Sequence, residues 1–146
     1  MFIRKAVTND SQGLQSCMEQ AYSVYLERMK GKSLPPIEVD YAQEIKQHPV
    51  WVVEEDDQIA GGIILSFEAE YLSVANLSVH PDFQGQGFGR FLLEFAHEKA
   101  IERGYKEMRL ATHVLLTENI SLYKHLGWRE YDGDDMRVYM KKTVEL

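Results

Sequence analysis

Three glycines alternate with other residues in the stretch from Gln84 to Arg90, which reads Gln-Gly-Gln-Gly-Phe-Gly-Arg. A strand is predicted to end just before this stretch, and an amphipathic helix is predicted to begin near Phe88. A glycine turn between a strand and a helix leaves main-chain N–H groups bare and directs them, with the positive end of the helix dipole, at one point. Such a point binds anions, so the sequence predicts a site for a phosphorylated ligand.

Two familiar phosphate-binding loops are excluded by their spacing. The dinucleotide fingerprint G-x-G-x-x-G requires glycine at position 90 or 92, where the chain has Arg90 and Leu92. The P-loop that would start at Gly85 requires glycine at position 90 and lysine at position 91, and Phe91 stands at the second of these. The pattern that remains is Q-x-x-G-x-G, formed by Gln84, Gly87 and Gly89.

A second motif runs from Asn119 to Trp128 and follows a later predicted strand. Asn119 and Tyr123 are four residues apart, so a helix would place them on one face. Taken singly, an asparagine near a helix start is usually a cap, and a helical tyrosine is usually a packing residue. Because two partly independent motifs in the expected order rarely arise by accident, we interpret both as functional rather than as a cap and a packing residue.

Together the two motifs resemble those of the GNAT superfamily of acyl-CoA-dependent N-acetyltransferases. Leu77–Arg90 resembles the acyl-CoA pyrophosphate loop of that superfamily, and Asn119–Trp128 resembles its pattern N-x-x-x-Y-x-x-x-G-[FW]. The order of predicted elements agrees with the family over nearly the whole chain. The resemblance implies one GNAT-type domain over residues 1–146. The implied fold is a mixed, mostly antiparallel α/β sheet with a central splayed parallel strand pair and flanking helices.

The resemblance also implies acetyl-CoA as the acyl donor, with its pantetheine arm lying between the two splayed strands. Main-chain groups of Leu77 and Val79 would pair with the amides of that arm. Asn119 would meet the pantetheine or its thioester end. The N–H groups that would hold the pyrophosphate belong to Gln84, Gly85, Gln86, Gly87, Phe88, Gly89 and Arg90.

The implied reaction is direct transfer of an acetyl group from the thioester to an amine. A backbone N–H from the Leu77–Val79 region would stabilise the oxyanion, and Tyr123 would protonate or hydrogen-bond the departing thiolate. An alkyl amine must also lose a proton before it attacks. Many relatives place a glutamate on the central strand for this purpose, whereas this chain has Ala75 and Asn76 there. The open candidates for the general base are Glu68, Glu70, His113 and an ordered water.

The acceptor pocket is expected in the first helical region. Tyr22 is favoured as a continuation of the core stripe over a pocket residue, and Cys17 is favoured as a buried small apolar residue over a nucleophile. The other residues of the expected lining are Tyr25, Arg28, Met29, Leu34, Pro35 and Pro36. Three functions stay open: acetylation of a small amine or amino-acid derivative, acetylation of a protein N-terminus or lysine, and non-catalytic acyl-CoA binding.

Composition limits the location and the partners. With 146 residues, of which 45% are hydrophobic, the chain is expected to form one domain. A net charge of −7 argues against general affinity for nucleic acid or anionic membranes. The single cysteine excludes an internal disulfide and, together with the lack of a long apolar run, predicts a cytoplasmic protein. A homodimer is compatible with this architecture.

Strands and helices alternate along the chain. Leu72–His80 is predicted to be a strand that lies parallel to Met108–His113, because a strand–helix–strand unit requires a crossover. The other predicted strands are Phe2–Val7, Val50–Glu54, Gln58–Ser66, and a final hairpin of Arg129–Tyr131 with Met136–Lys141. The predicted helices are one capped among Asn9, Asp10 and Ser11, then Tyr41–Gln47 capped by Asp40, Phe88–Arg103 and Glu118–Leu126. The predicted hairpin turn is Asp56-Asp57.

Overall fold

The computed structural model describes residues 2–23 and 40–144. Its strands are β1 (Phe2–Lys5), β2 (Val50–Glu55), β3 (Gln58–Phe67), β4 (Leu72–Val79), β5 (Glu107–His113), β6 (Arg129–Gly133) and β7 (Arg137–Thr143). Its helices of at least two turns are α1 (Ser11–Ser23), α2 (Tyr41–Gln47), α3 (Phe88–Glu102) and α4 (Thr117–His125). The strands hydrogen-bond in the order β1-β2-β3-β4-β5-β7-β6. This mostly antiparallel sheet with one parallel pair, β4 and β5, confirms the predicted fold class.

The described residues divide into two compact units. The first lies within Met1–Leu65 and Asn76–Leu92, and the second lies within Ser66–Ala75 and Leu93–Leu146. The first therefore contains β1, β2, most of β3, the end of β4 and the start of α3. The second contains the start of β4, most of α3, and all of the elements that follow it.

The core of the first unit forms between its helices and β2. Leu14 and Met18 of α1 are one helical turn apart and fully buried, and Tyr41 of α2 is buried beside them. Asp40 caps α2, because its carboxylate accepts the Gln43 N–H at 3.2 Å. The predicted helix Tyr41–Gln47 is confirmed at both ends.

The β2–β3 hairpin turns where the sequence predicted. Asp56 and Asp57 have φ angles of 52° and 62°, the left-handed conformation that a two-residue hairpin turn needs and that aspartate tolerates. Glu55 pairs with Gln58 across this turn. The register of β2 on β3 therefore begins at the turn itself.

The first strand is shorter than predicted. It ends at Lys5 instead of Val7, and Thr8–Asp10 forms a 3-10 turn before α1 begins at Ser11. The Arg4 guanidinium donates to both carboxylate oxygens of Asp10, at 2.8 and 2.9 Å, and also to Glu54 of β2. This network of three charged side chains ends β1 by turning the chain toward α1. The contact from Arg4 to Glu54 joins residues 50 apart, so no local sequence pattern indicates it.

The second unit contains the parallel pair. Leu72, Ser73 and Val74 of β4 pair with Met108, Arg109 and Leu110 of β5, as predicted. This pairing covers three residues of β4, although β4 runs on to Val79 and β5 to His113. On its other edge β5 pairs with β7 along its whole length. The final hairpin, β6 with β7, is longer than predicted, and its second strand is the one next to β5.

Within the first unit, β3 and β4 approach so closely that only glycine fits at position 61. A Cβ on Gly61 would lie 2.7 Å from the carbonyl oxygen of Ser78 on β4 and 3.3 Å from Leu92 Cδ1. The nearest atom belongs to the backbone, which yields much less readily than the end of a side chain. Gly61 therefore sets the distance between the two strands.

We expect Gly61→Ala to lower the free energy of unfolding by about 1–3 kcal/mol, the usual cost of overpacking. Gly13→Ala is the matched control, because a Cβ there meets the flexible end of the Ile59 side chain at 2.9 Å. Gly13 lies in α1, where alanine is favoured over glycine by roughly 1 kcal/mol. Urea unfolding of both variants measures the difference, and equal midpoints would contradict the proposed close approach.

Candidate active site

Two glycines of the turn between β4 and α3, in the first unit, have a left-handed backbone conformation. Gly85 and Gly87 have φ angles of 79° and 88°, which side chains rarely adopt. The residues from Gln84 to Gly87 are exposed to solvent. The first intrahelical bond of α3 runs from the Phe91 N–H to the Gly87 carbonyl, so the N–H groups of Phe88 and Gly89 precede the helical ladder. An exposed glycine turn thus leads into the N-terminus of a 15-residue helix.

Two buried aromatic side chains support this turn from either end. The Phe83 and Phe88 rings meet edge to face, with centroids 5.6 Å apart and an interplanar angle of 79°. Both side chains are buried, at 6% and 3% exposure. The His80 ring stacks edge-on against Phe83 from the end of β4. The turn is therefore fixed to the core at its two ends.

The glutamine side chains of the turn bind its own backbone. The Gln84 amide donates to the Val79 carbonyl, and the Gln86 amide donates to the Asp82 carbonyl, each at 3.3 Å. These bonds close the turn over the end of β4. The first unit therefore brings together nearly all of the residues predicted to bind the donor, namely Leu77, Val79, Gln84, Gly85, Gln86, Gly87, Phe88, Gly89 and Arg90.

The edges of β4 can be assigned from one hydrogen bond. The His80 N–H donates to the Ala60 carbonyl of β3 at 2.7 Å, and peptide groups alternate in direction along a strand. The peptide N–H and C=O groups of the even-numbered residues at this end of β4 therefore point toward β3. Those of Leu77 and Val79 point toward the opposite edge of the strand. On that edge the Leu77 carbonyl accepts the Tyr22 hydroxyl at 3.1 Å.

In the second unit, the spacing of the Tyr-x-x-x-Gly-Trp motif has a structural cause. The Trp128 N–H donates to the Tyr123 carbonyl at 2.9 Å, and the Gly127 N–H donates to the Lys124 carbonyl at 3.1 Å. Gly127 has a φ of 97°, and the centroids of the Trp128 and Tyr123 rings are 6.2 Å apart. This is a Schellman cap with its hydrophobic contact. It holds Tyr123, which is 7% exposed, at the end of α4.

Asn119 lies on α4 one turn before Tyr123 and is half-buried. Its N–H donates to the Leu116 carbonyl at 3.1 Å within the first turn of the helix. The two polar side chains of the second motif therefore share one helix, as the spacing predicted.

The candidates for the general base have different surroundings. The Glu68 carboxylate accepts the Ser66 hydroxyl at 2.6 Å, and Glu70 is exposed. His113 Nδ1 accepts the Leu115 N–H at 3.1 Å, which leaves Nε2 to carry the proton of the neutral ring. Asn76, on the strand that carries a glutamate in many relatives, donates its amide to the Tyr41 hydroxyl at 3.3 Å. The choice among Glu68, Glu70, His113 and water stays a prediction.

Two predicted features of the first helical region are settled by the structure. Tyr22 is half-buried and packs against the core of the first unit, as favoured. Cys17 is 1% exposed, and its Sγ lies 3.7 Å from the Ser78 hydroxyl. The rest of the expected acceptor lining lies outside the described residues: Tyr25, Arg28, Met29, Leu34, Pro35 and Pro36.

The described ranges, 2–23 and 40–144, contain neither a membrane-spanning helix nor a cluster of metal-ligating side chains. No helix there is long and apolar enough to cross a membrane. No cluster of three or more histidine, cysteine or acidic side chains there is arranged to hold a metal ion.

Comparison with known proteins gives consistent matches. The family model described as an acetyltransferase (GNAT) domain matches residues 46–130. The Escherichia coli N-acetyltransferase YjgM is 27% identical over 138 residues, which cover 89% of this chain and 83% of that protein. The [ribosomal protein bS18]-alanine N-acetyltransferase of Salmonella typhimurium is 33% identical over 75 residues, 51% of each chain.

Solved structures agree with this fold. The PaiA N-acetyltransferase of Thermoplasma acidophilum, in complex with coenzyme A, superposes with a TM-score of 0.86 at 21% identity, and the match covers 97% of this chain and 98% of that one. The ribosomal-protein-S18-alanine N-acetyltransferase of Escherichia coli superposes with a TM-score of 0.79 at 19% identity, covering 99% and 94%.

We expect Cys17 to be unreactive in the folded protein. Burial raises the pKa of its thiol to about 11, so roughly one thousandth is thiolate at pH 8. Because the pKa is raised above its ordinary value of 9.0, this thiol stabilises the fold fully below pH 9, and that contribution is lost as the pH rises through 11.

A disulfide reagent at pH 8, with and without urea, measures this reactivity. Because the chain has a single cysteine, the signal belongs to Cys17. We expect slow reaction in buffer and rapid, stoichiometric reaction in urea. Rapid reaction of the native protein would show that the thiol is accessible and its pKa ordinary.

Proposed function

The chain belongs to the GNAT acetyltransferase family, whose model covers more than half of its length, and we propose that it moves an acetyl group from acetyl-CoA to a primary amine. Membership in the family makes the protein an acyltransferase. The proposal adds the donor, the acceptor class and the residues that act. One GNAT-type domain over residues 1–146 is part of this proposal.

The observation that carries the proposal is the continuous path from β4 to α3 in the first unit. Leu77 and Val79 turn their peptide groups away from β3, and the exposed glycine turn and the helix N-terminus follow directly along the chain. An edge of a strand suits the amide groups of pantetheine, and an N-terminal turn suits a pyrophosphate. Acetyl-CoA contains these two parts in this order.

The chemistry proceeds by direct attack of the amine on the thioester carbonyl carbon in a ternary complex. An oxyanion forms, the carbon–sulfur bond breaks, and coenzyme A leaves as a thiolate. A backbone N–H from Leu77–Val79 stabilises the oxyanion, an interaction worth roughly 2.7–4 kcal/mol where single donors have been removed from other enzymes. Tyr123 gives its proton to the thiolate, and Asn119 contacts the thioester end of the donor.

The proton of the attacking amine goes to a base. The proposed candidates remain Glu68, Glu70, His113 and an ordered water. Ala75 and Asn76 are unable to serve as a carboxylate base, so the reaction uses a different route from relatives that have a glutamate on this strand.

The acceptor is proposed to be a small amine or an amino-acid derivative. A protein N-terminus or lysine is the second candidate, and the similarity to a [ribosomal protein bS18]-alanine N-acetyltransferase supports a protein acceptor. Non-catalytic binding of acyl-CoA is the third, supported by Ala75 and Asn76 in place of a glutamate. A screen of amines and of a peptide with N-terminal alanine, read by thiol release, separates the three.

Acetyl-CoA and CoA should raise the melting temperature, whereas NAD should not. Ligand at a hundred times its dissociation constant adds about 2.7 kcal/mol of stability, which corresponds to several degrees for a domain of this size. Gly87→Val should abolish the shift, because a side chain would fill the phosphate turn and oppose its φ of 88°.

Gly104→Val is the matched control. Gly104 has a similar φ of 77° at the end of α3, with open space where a Cβ would stand. This variant should carry the same backbone strain and keep the full shift with CoA. If wild-type protein shows no shift with either CoA species at millimolar concentration, the glycine turn is a packing feature and the proposed donor is wrong.

Tyr123→Phe should retain acetyl-CoA binding and lose turnover by about 10²–10⁴-fold, the usual contribution of a general acid. The ring and its contact with Trp128 remain, so packing is kept. Steady-state thiol release with the best acceptor measures the loss, and Tyr131→Phe, at an exposed side chain on β6, should be without effect. Unaltered turnover in Tyr123→Phe would leave Tyr123 with a packing role only.

A further inference from the structure

Three successive residues at the end of β4 are each contacted by a helical side chain of the first unit. Asn76 donates to the Tyr41 hydroxyl, Ser78 lies against the Cys17 thiol, and Leu77 accepts from the Tyr22 hydroxyl. The first two contacts join side chains. The Tyr22 contact alone among these three reaches a main-chain atom, the Leu77 carbonyl oxygen.

That carbonyl oxygen faces the edge of β4 opposite β3. It has two lone pairs, and the Tyr22 hydroxyl at 3.1 Å uses one of them. Within residues 2–23 and 40–144 no second donor bonds to this oxygen, so its other lone pair is open to a ligand N–H. Such a carbonyl is a half-filled acceptor on a strand edge, which is the group that an amide-bearing chain needs when it lies along a strand.

The Tyr22 ring is fixed by packing. It lies against the core cluster that contains Leu14 and Met18 of α1, and it is half-buried. The position of the Tyr22 hydroxyl is therefore set by the packing of α1 and not by the Leu77 carbonyl. A donor held in this way fixes the direction of the acceptor to which it binds.

We propose that Tyr22 is a positioning residue for the acyl donor. Its hydroxyl directs the Leu77 carbonyl so that the second lone pair receives an amide N–H of the pantetheine arm. This inference rests on the proposed function, because it assumes a CoA ligand along β4. It assigns a role in donor binding to a side chain that sequence analysis placed in the core or the acceptor pocket.

Tyr22→Phe tests the proposal, because it keeps the ring and removes only the hydroxyl. Two ligands are titrated calorimetrically: CoA, and 3′-phosphoadenosine 5′-diphosphate, which has the same nucleotide and diphosphate but lacks the arm. We expect the dissociation constant for CoA to rise roughly tenfold, as for the loss of one hydrogen bond. The dissociation constant for the armless nucleotide should stay the same, and its binding shows that the variant is folded.

Tyr105→Phe is the matched control. The Tyr105 hydroxyl also donates to a main-chain carbonyl, that of Glu68 at 2.6 Å, in the second unit. The substitution removes the same kind of bond from a carbonyl that has no proposed role in donor binding. Neither ligand should change its affinity for this variant.

The outcomes separate this inference from the proposed function. Unchanged or tighter CoA binding by Tyr22→Phe overturns the role of Tyr22, since the hydroxyl is then irrelevant to the arm or competes with it. Equal weakening of both ligands also overturns it, because the effect is then general. Wild-type protein that binds neither ligand overturns the proposed function instead.

Discussion

The close approach of β3 and β4 is the constraint on which the proposed donor site depends. Gly61 lets the backbone of β3 come against the Ser78 carbonyl, and the His80 N–H bonds to Ala60 on the same side. Once the even-numbered residues at this end of β4 are committed to β3, alternation leaves the peptide groups of Leu77 and Val79 on the other edge. The site is therefore a consequence of strand pairing: the same hydrogen bonds that build the sheet determine which main-chain groups a ligand can meet.

The two motifs solve different mechanical problems. For the proposed function, the glycine turn must be open enough for its backbone to contact a phosphate, and it must also be held in place. The buried Phe83–Phe88 pair holds the turn without adding side-chain atoms at the exposed glycines. In the second motif, glycine serves an opposite purpose, because Gly127 ends α4 and returns Trp128 onto Tyr123. The motif that contains the proposed catalytic residue Tyr123 is thus also a helix cap, and Tyr123 is held by its own carbonyl as well as by its ring.

Local chemistry predicted most elements of the fold, and long-range contacts account for the parts that it missed. Asp40 as a cap and Asp56-Asp57 as a turn act within a few residues, so the sequence located α2 and the β2–β3 hairpin within one residue at each boundary. The early end of β1 depends on Arg4 reaching Glu54, and the hydroxyl bond from Tyr22 spans 55 residues to Leu77. No periodicity or spacing carries such information. For the same reason, the residues of the glycine turn were predictable as one segment, whereas no local pattern selects among Glu68, Glu70, His113 and an ordered water as the general base.

The charge of the protein decides how an anionic donor must be held. A net charge of −7 repels a phosphorylated ligand at long range, and the turn itself carries only Arg90 as a formal positive charge between Gln84 and Phe91. Attraction must then come from main-chain dipoles at short range: the N–H groups before the first bond of α3 and the positive end of that helix. Such dipoles act over a few ångströms, so the proposed mode of binding requires the close backbone contact that Gly85, Gly87 and Gly89 permit. Under the proposed function, geometry rather than net charge selects the donor, because a turn without the left-handed Gly85 and Gly87 would keep its charge and lose the close backbone contact.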